Sequence, residues 1–241
     1  MTKKIIALLL CALMIIVVSG CETAETTVTN TEVNYEELYQ KTLVKTYDFI
    51  KNVDFDAEYD DCYMGIFEAL LTLGDEGINA IEYVIKDINK DNVPELLIGS
   101  FDKHENAYTN NDIYAIYSII NNKAEFVVGG RSRSMYSLNE DGNLFYIGSN
   151  GAAYSIFGVY HISKDGKVVC DDYYFTYPDD NDYSKIELYH NQTGEFQREG
   201  SEKLDIAYDD FWKLQEEFAK ETVKITANSF DKFSHLNEFL N

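Results

Sequence analysis

Two hydrophobic periods divide the chain. From Asn34 to about Lys51, the residues Tyr35, Leu38, Tyr39, Thr42, Leu43, Thr46, Phe49 and Ile50 recur every three to four positions. Asn34-Tyr35-Glu36-Glu37 opens that stretch like a capping box, so the pattern predicts an amphipathic helix. A second helix is predicted over about Ala57–Leu73, with Tyr59, Cys62, Tyr63, Ile66, Leu70 and Leu73 on one face and Gly74 as its stop. From Ile78 the period becomes two. Short runs of Tyr, Ile, Val and Phe alternate with turn signals at Asn121-Asn122, Asp141-Gly142, Asp165-Gly166 and Thr193-Gly194, the pattern of successive antiparallel hairpins. Pro94 and Pro178 fall where loops or strand edges are expected. Helical spacing returns over Tyr208–Glu221 through Phe211, Trp212, Leu214, Gln215 and Phe218, and a short strand near Val223–Ala227 is expected to follow. The predicted fold class is α+β: an N-terminal helix pair, an antiparallel β meander of about eight strands and a C-terminal helix, with the helices on one face of the sheet.

The first residues obey neither period. Met1-Thr2-Lys3-Lys4 is basic and is followed by an apolar run from Ile5 to Val18, then Ser19, Gly20 and Cys21. This is the layout of a signal peptide. About 14 apolar residues fall short of the roughly 20 that a membrane-spanning helix needs. Val18-Ser19-Gly20-Cys21 resembles the lipobox of bacterial lipoproteins, a resemblance confined to residues 1–21. It implies a diacylglyceryl thioether on Cys21 and cleavage after Gly20, and two acyl chains hold a protein stably where one would not. The expected organisation is therefore a signal peptide over 1–20, a flexible Thr- and Glu-rich tether over 21–33, and a single extracellular domain over 34–241 held at the outer face of the cell membrane. An extended tether of about 12 residues reaches on the order of 40 Å.

Charge narrows the partners. The chain carries a formal net charge of −22, and removal of residues 1–20 takes away Lys3 and Lys4 and no acid, leaving −24. Phosphate backbones and anionic headgroups repel such a surface, which argues against nucleic acid as a partner and for divalent cations. Of the four cysteines, Cys11 leaves with the signal and Cys21 takes lipid. Cys62 and Cys170 remain, an even pair that permits a disulfide in an exported protein, although nothing else suggests a disulfide scaffold and two separate buried thiols are the plainer expectation.

One contiguous stretch carries candidate chemistry. Asp87-Ile88-Asn89-Lys90-Asp91-Asn92-Val93-Pro94-Glu95 lies between two predicted strands and places oxygen side chains at its positions 1, 3, 5 and 9. Calcium takes six to eight oxygens, and alternate residues of a tight loop can face one centre. Asp87, Asn89, Asp91 and Glu95 would supply side chains and Val93 its carbonyl. The loop resembles the calcium sites of integrin-type FG-GAP repeats, with Asn92 where those have Gly, and it occurs once rather than as a propeller repeat. Followed by Pro-Glu-Leu-Leu, it also resembles a stretch of lipoproteins from Clostridia-type Gram-positive bacteria. The competing reading is a metal-free hairpin with Asx-type hydrogen bonds from Asp87 and Asn89.

Weaker signals surround it. Arg131 and Arg133 stand beside a Gly129-Gly130 turn, and Ser149-Asn150-Gly151 follows one hairpin later. Together they form a candidate anion site unless the arginines simply pair with some of the 42 acids. Asp54, Asp56, Glu58, Asp60 and Asp61 are read as capping the second helix rather than as a metal cluster. The 19 tyrosines suit half-buried strands before they suit sugar stacking. His104, His161, His190 and His235 stand alone in sequence. No nucleophile elbow, zinc motif or phosphate loop is present. The expected function is a membrane-anchored binding or structural module stabilised by calcium. The alternative is an envelope glycan hydrolase working through an unassigned Asp/Glu pair.

Overall fold

The computed structural model describes residues 33–74, 77–101 and 111–233. The expectations for the signal, Cys21, the tether up to residue 32, His104 and His235 lie outside them. The helices and strands belong to one unit, Asn34–Asn241.

Helix α1 spans Tyr35–Asn52 and begins as its sequence suggests, with the Asn34 side chain accepting from Glu37 N at 3.3 Å and Glu36 and Glu37 in the first turn. Helix α2 spans Asp61–Leu73, four residues shorter at its start than the acid-rich lead-in suggests. Asp60 occupies the cap position without a side-chain bond to the helix, and Asp54 instead folds back on Asp56 N at 3.0 Å. Gly74, at φ +55°, closes the helix by donating to Leu70 O. A single turn, α3 (Gly77–Ala80), leads into the sheet.

Among the described residues, eleven antiparallel strands follow: β1 Glu82–Lys86, β2 Glu95–Phe101, β3 Asn111–Ile120, β4 Lys123–Val128, β5 Ser134–Leu138, β6 Leu144–Ser149, β7 Ser155–Ile162, β8 Val168–Pro178, β9 Ile186–Asn191, β10 Glu202–Leu204 and β11 Asn228–Ser229. The α+β meander is as the pattern predicts. Its strand number exceeds eight partly because β10 and β11, with three and two residues, are too short to display a period. Asn121 and Asn122 both take positive φ, as a two-residue hairpin between β3 and β4 requires. The final strand falls at Asn228–Ser229 rather than Val223–Ala227. Val223 N donates instead to Leu138 O at 2.9 Å, which ties that segment across the sheet.

Strand order is β10-β9-β8-β7-β6-β5-β3-β2-β1-β11, with β4 off this path on β3. The meander therefore splits at β3. Its C-terminal half pairs with β4 (Ile116↔Val128 to Ile120↔Lys123), and its N-terminal half meets β5 (Ile113↔Tyr136). The connection from Gly129 to Arg133 crosses the point where β4 and β5 part.

Alternation along the strands assigns the two faces. Leu96, Ile98, Ala115 and Tyr117 pack beneath α1 and α2 with Tyr39, Leu43, Ile66 and Leu70. Leu97, Ile113 and Ile116 point the other way, toward Leu138, Leu144 and Ile225. The C-terminal helix α4 (Tyr208–Lys220) returns to the helical face, where fully buried Phe211 and the partly buried Trp212 and Phe218 meet Phe145, Phe157 and Leu188. Burying a Phe of this kind contributes roughly 1.5–3 kcal/mol.

Helix α2 lies unusually low on the sheet. A Cβ added at Gly65 would fall 1.9 Å from Gly130 O and 2.8 Å from Tyr114 O, so the helix backbone rests directly on strand and loop carbonyls. No residue but glycine permits that approach.

Candidate functional site

The acidic loop is a tight connection between β1 and β2, and helix α1 clamps it. Tyr35 Oη donates to Asn92 O at 2.9 Å, and Tyr39 Oη donates to Pro94 O at 2.8 Å and Tyr117 O at 3.2 Å. Inside the loop the carboxylates receive its own amides. Asp87 accepts from Asp91 N (3.2 Å) and Asn92 N (2.9 Å), Asn89 Oδ1 from Asp91 N (3.1 Å), and Asp91 Oδ1 from Val93 N (2.7 Å). Lys90 and Asn92 take positive φ, and Asn92 thereby supplies the left-handed turn expected of it.

Glu95 differs from its neighbours. It is fully buried on β2 and accepts from Ile88 N (3.1 Å), Ser118 Oγ (3.2 Å) and Asn89 Nδ2 (3.3 Å). Burial outweighs these donors and pushes its carboxyl up to about 7, with the charge of Asp91 adding to the rise. Among the described residues, no lysine or arginine forms an ion pair with Asp87, Asp91 or Glu95. The Asn89 amide spans Asp91 Oδ2 and Glu95 Oε1 at 3.3 Å each. The loop thus gathers the Asp87, Asn89, Asp91 and Glu95 side chains, and the Val93 amide through its bond to Asp91. Its oxygens are turned onto local donors, and no group of three or more His, Cys, Asp or Glu side chains forms a metal cage among the described residues. For a calcium ion the donor chemistry fits: hard oxygens, a desolvated carboxylate, and no lysine or arginine paired with it among the described residues.

A second locus is assembled from separate segments. A cleft of about 650 Å³ runs over the helical face between α2 and α4, floored by Tyr114 of β3 and Ile147 of β6. Arg133 and Ser149 both line it, whereas Arg131 is not among its lining residues. The arginine turn is closed by reciprocal bonds, Arg131 N to Ser134 O and Ser134 N to Arg131 O, both 2.8 Å. Glu68 of α2 accepts from Ser132 N, and Arg133 O accepts from Ser149 N at 3.0 Å. Ser149 Oγ is engaged within its own turn, donating to Gly151 O at 3.1 Å. Neither Arg131 nor Arg133 has an ion pair or side-chain hydrogen bond among the described residues, while Arg198 grips Asp180 with bonds of 2.9 and 2.7 Å.

Sequence reasoning passes over Trp212 and Glu68 as cleft residues. A signal exists for the first: Phe211 and Trp212 are adjacent, hence about 100° apart on a helix, so with Phe211 fully buried Trp212 falls toward the edge of the buried stripe. Glu68 carries no comparable mark.

The other candidates resolve into structure. His161 Nδ1 pairs with Asp171 (2.9 and 2.8 Å) and His190 Nε2 with Asp172 (2.8 Å), partners that lie ten and eighteen residues away. Cys62 packs under α1 and Cys170 on the opposite face, both free thiols, and burial raises the Cys170 thiol to about 11. Tyrosines do cluster, with ring centres of Tyr136, Tyr146 and Tyr160 separated by 4.9–6.0 Å, half-buried, and Tyr146 and Tyr160 pack against the core cluster that contains Phe175 and Tyr189.

The chain matches no protein-family model, no curated protein and no solved structure.

Proposed function

We propose that this protein is an exported lipoprotein, anchored through Cys21 to the outer face of the cell membrane, whose domain is a binding module with a calcium-stabilised hairpin. The anchor rests on the basic start, the apolar run and Val18-Ser19-Gly20-Cys21. The binding role rests on one observation above others: a roughly 650 Å³ cleft whose lining includes both the chain's single tryptophan and an arginine that has no acidic partner among the described residues. Calcium would be held by Asp87, Asn89, Asp91 and Glu95 with the Val93 carbonyl, and would supply the positive charge that Glu95 lacks. Its work is structural, since the loop is clamped by α1 and is not part of the cleft lining.

The hydrolase reading asks for two facing acids with raised pKa inside the cleft. Glu95, whose carboxyl burial raises, belongs to the hairpin and is not part of the cleft lining.

Fractionation tests the anchor. Wild-type protein should be processed and should partition into the detergent phase, and Cys21→Ala should be released or remain unprocessed. A mature-size Cys21→Ala product that still partitions with detergent would overturn it. Melting with calcium or chelator tests the hairpin, where no shift at millimolar calcium counts against the ion.

A further inference from the structure

The cleft's chemistry is specific enough to name a ligand class, an inference that rests on its being the binding site. We infer that the cleft binds a small organic monoanion, a carboxylate carried on an apolar or ring-shaped body, with Arg133 taking the carboxylate and Trp212 flanking the body.

Three observations converge. In a chain with 42 acids and 20 basic residues, an exposed arginine would be expected to find a carboxylate, as Arg198 does with Asp180. Arg133 has no such partner among the described residues, although Glu68 and Asp112 line the same cleft. The Glu68 carboxylate is held by Ser132 N, which orients it toward the turn backbone.

Arg133 also stands at φ +64°, a conformation unfavourable for any side chain with a Cβ. The other such residues described are Asn92, Asn121 and Asn122, which tolerate it, and Lys90. Glycine would relax this turn, and Gly129 and Gly130 stand just before it. An arginine kept in a strained position next to a cavity is the kind of outlier that marks a ligand contact. The turn is also fixed from three sides, by the Arg131–Ser134 bonds, by Glu68, and by Ser149 N on Arg133 O. The guanidinium is thereby presented from a rigid base.

The remaining walls are mixed. Tyr114, Met135, Ile147 and Trp212 offer apolar area and Ser155 is a polar member of the lining, whereas the Ser134 hydroxyl is engaged with Tyr146 Oη at 2.9 Å. Such walls suit a body that is partly apolar and flat. A monoanion is favoured over a phosphate dianion because the Glu68 carboxylate in the same lining repels a second charge, while one planar fork satisfies one carboxylate bidentately.

Trp212 is the only tryptophan, so its emission, excited beyond the tyrosine band, reports on the cleft alone. The full chain in detergent would be titrated with phenylacetate, glucuronate, benzyl alcohol and phenyl phosphate, alongside Arg133→Gln, Arg133→Lys and Arg198→Gln. A saturable response to phenylacetate or glucuronate is expected, weakened about tenfold or more in Arg133→Gln, partly restored in Arg133→Lys and unchanged in Arg198→Gln. Whichever of the two carboxylates binds tighter identifies the body as aromatic or sugar. Benzyl alcohol binding as tightly as phenylacetate, with no effect of Arg133→Gln, would leave the cleft a binding site and overturn the anion assignment. Equal or tighter binding of phenyl phosphate would overturn the preference for a monoanion. Silence toward every probe in folded wild-type protein would overturn the inference, while the anchor is judged separately by fractionation.

Discussion

The hairpin loop and the cleft are opposite solutions to placing charge. The loop concentrates Asp87, Asn89, Asp91 and Glu95 within nine consecutive residues and then satisfies most of their oxygens from its own backbone. The cleft draws side chains from α2, the β4–β5 turn, β6 and α4, and its arginine has no acidic partner among the described residues. The first is complete in itself except for a buried carboxylate. The second, under the proposed reading, is completed by a ligand. A local motif tends toward self-sufficiency because alternate residues of a turn already reach its amides. A dispersed site has no neighbours in sequence to satisfy it, so unpaired polar groups persist there.

The largest effect should come from the cleft's frame. Gly65→Ala drives a Cβ into Gly130 O and should destabilise the domain by about 3 kcal/mol or more, with loss of the cooperative transition or a displaced α2. Urea unfolding measures it. The same variant should leave any calcium response of residual folded protein intact, because the loop is clamped by α1 rather than α2.

Next in size is the pH dependence of the loop in chelator. Glu95 titrates near 7 when folded and near 4.5 when unfolded, so between those values the folded state binds more protons. Stability should therefore fall as pH rises from about 4.5 to 7 and level off above, by up to about 3 kcal/mol from this group. General charge repulsion acts in the same direction in so acidic a chain. The difference in slope between wild type and Glu95→Gln isolates the Glu95 contribution, and equal slopes would remove the carboxylate from the account.

Calcium should produce a smaller, opposite signature. For a dissociation constant on the order of 10⁻⁴ M, 1 mM calcium adds about 1.4 kcal/mol. The gain should grow with pH because the ligands must be deprotonated. Asp87→Asn combined with Asp91→Asn should abolish it in a melting experiment.

The smallest effect concerns Arg133. Replacement by Gly relieves the positive φ and should stabilise the domain by about 1 kcal/mol while removing the Trp212 response to carboxylates. Stability and binding moving in opposite directions would separate the cleft from the loop, where ligand and stability rise together.

Most of the fold is legible in the sequence because local rules govern it. The Asn34 cap, the Gly74 stop and the Asn121-Asn122 hairpin are set by neighbouring residues, and each falls where the sequence puts it. The start of α2 is not, because acids before a helix suit a cap at Asp54 or Asp60 alike, and the Asp54–Asp56 turn decides between them. The last strand escapes the pattern because Val223 and Ile225 are apolar for another reason: they lie across the sheet's second face with Leu138 and Leu144. For the site, Arg133 and Ser149 are readable as a turn pair, but the split of the meander at β3 that brings them beneath α4 is a long-range pairing without a sequence mark.

The contact of Gly65 with Gly130 O and Tyr114 O has a consequence for how this molecule can diversify. Main-chain atoms, not interchangeable side chains, set the height of one cleft wall, and the other wall is moored separately through Phe211, Phe145 and Phe157. Lineages that exchange Met135, Ile147, Ser155 or Gln215 would alter what is admitted while the aperture keeps its dimensions. Selectivity would then be a heritable variable held apart from the architecture.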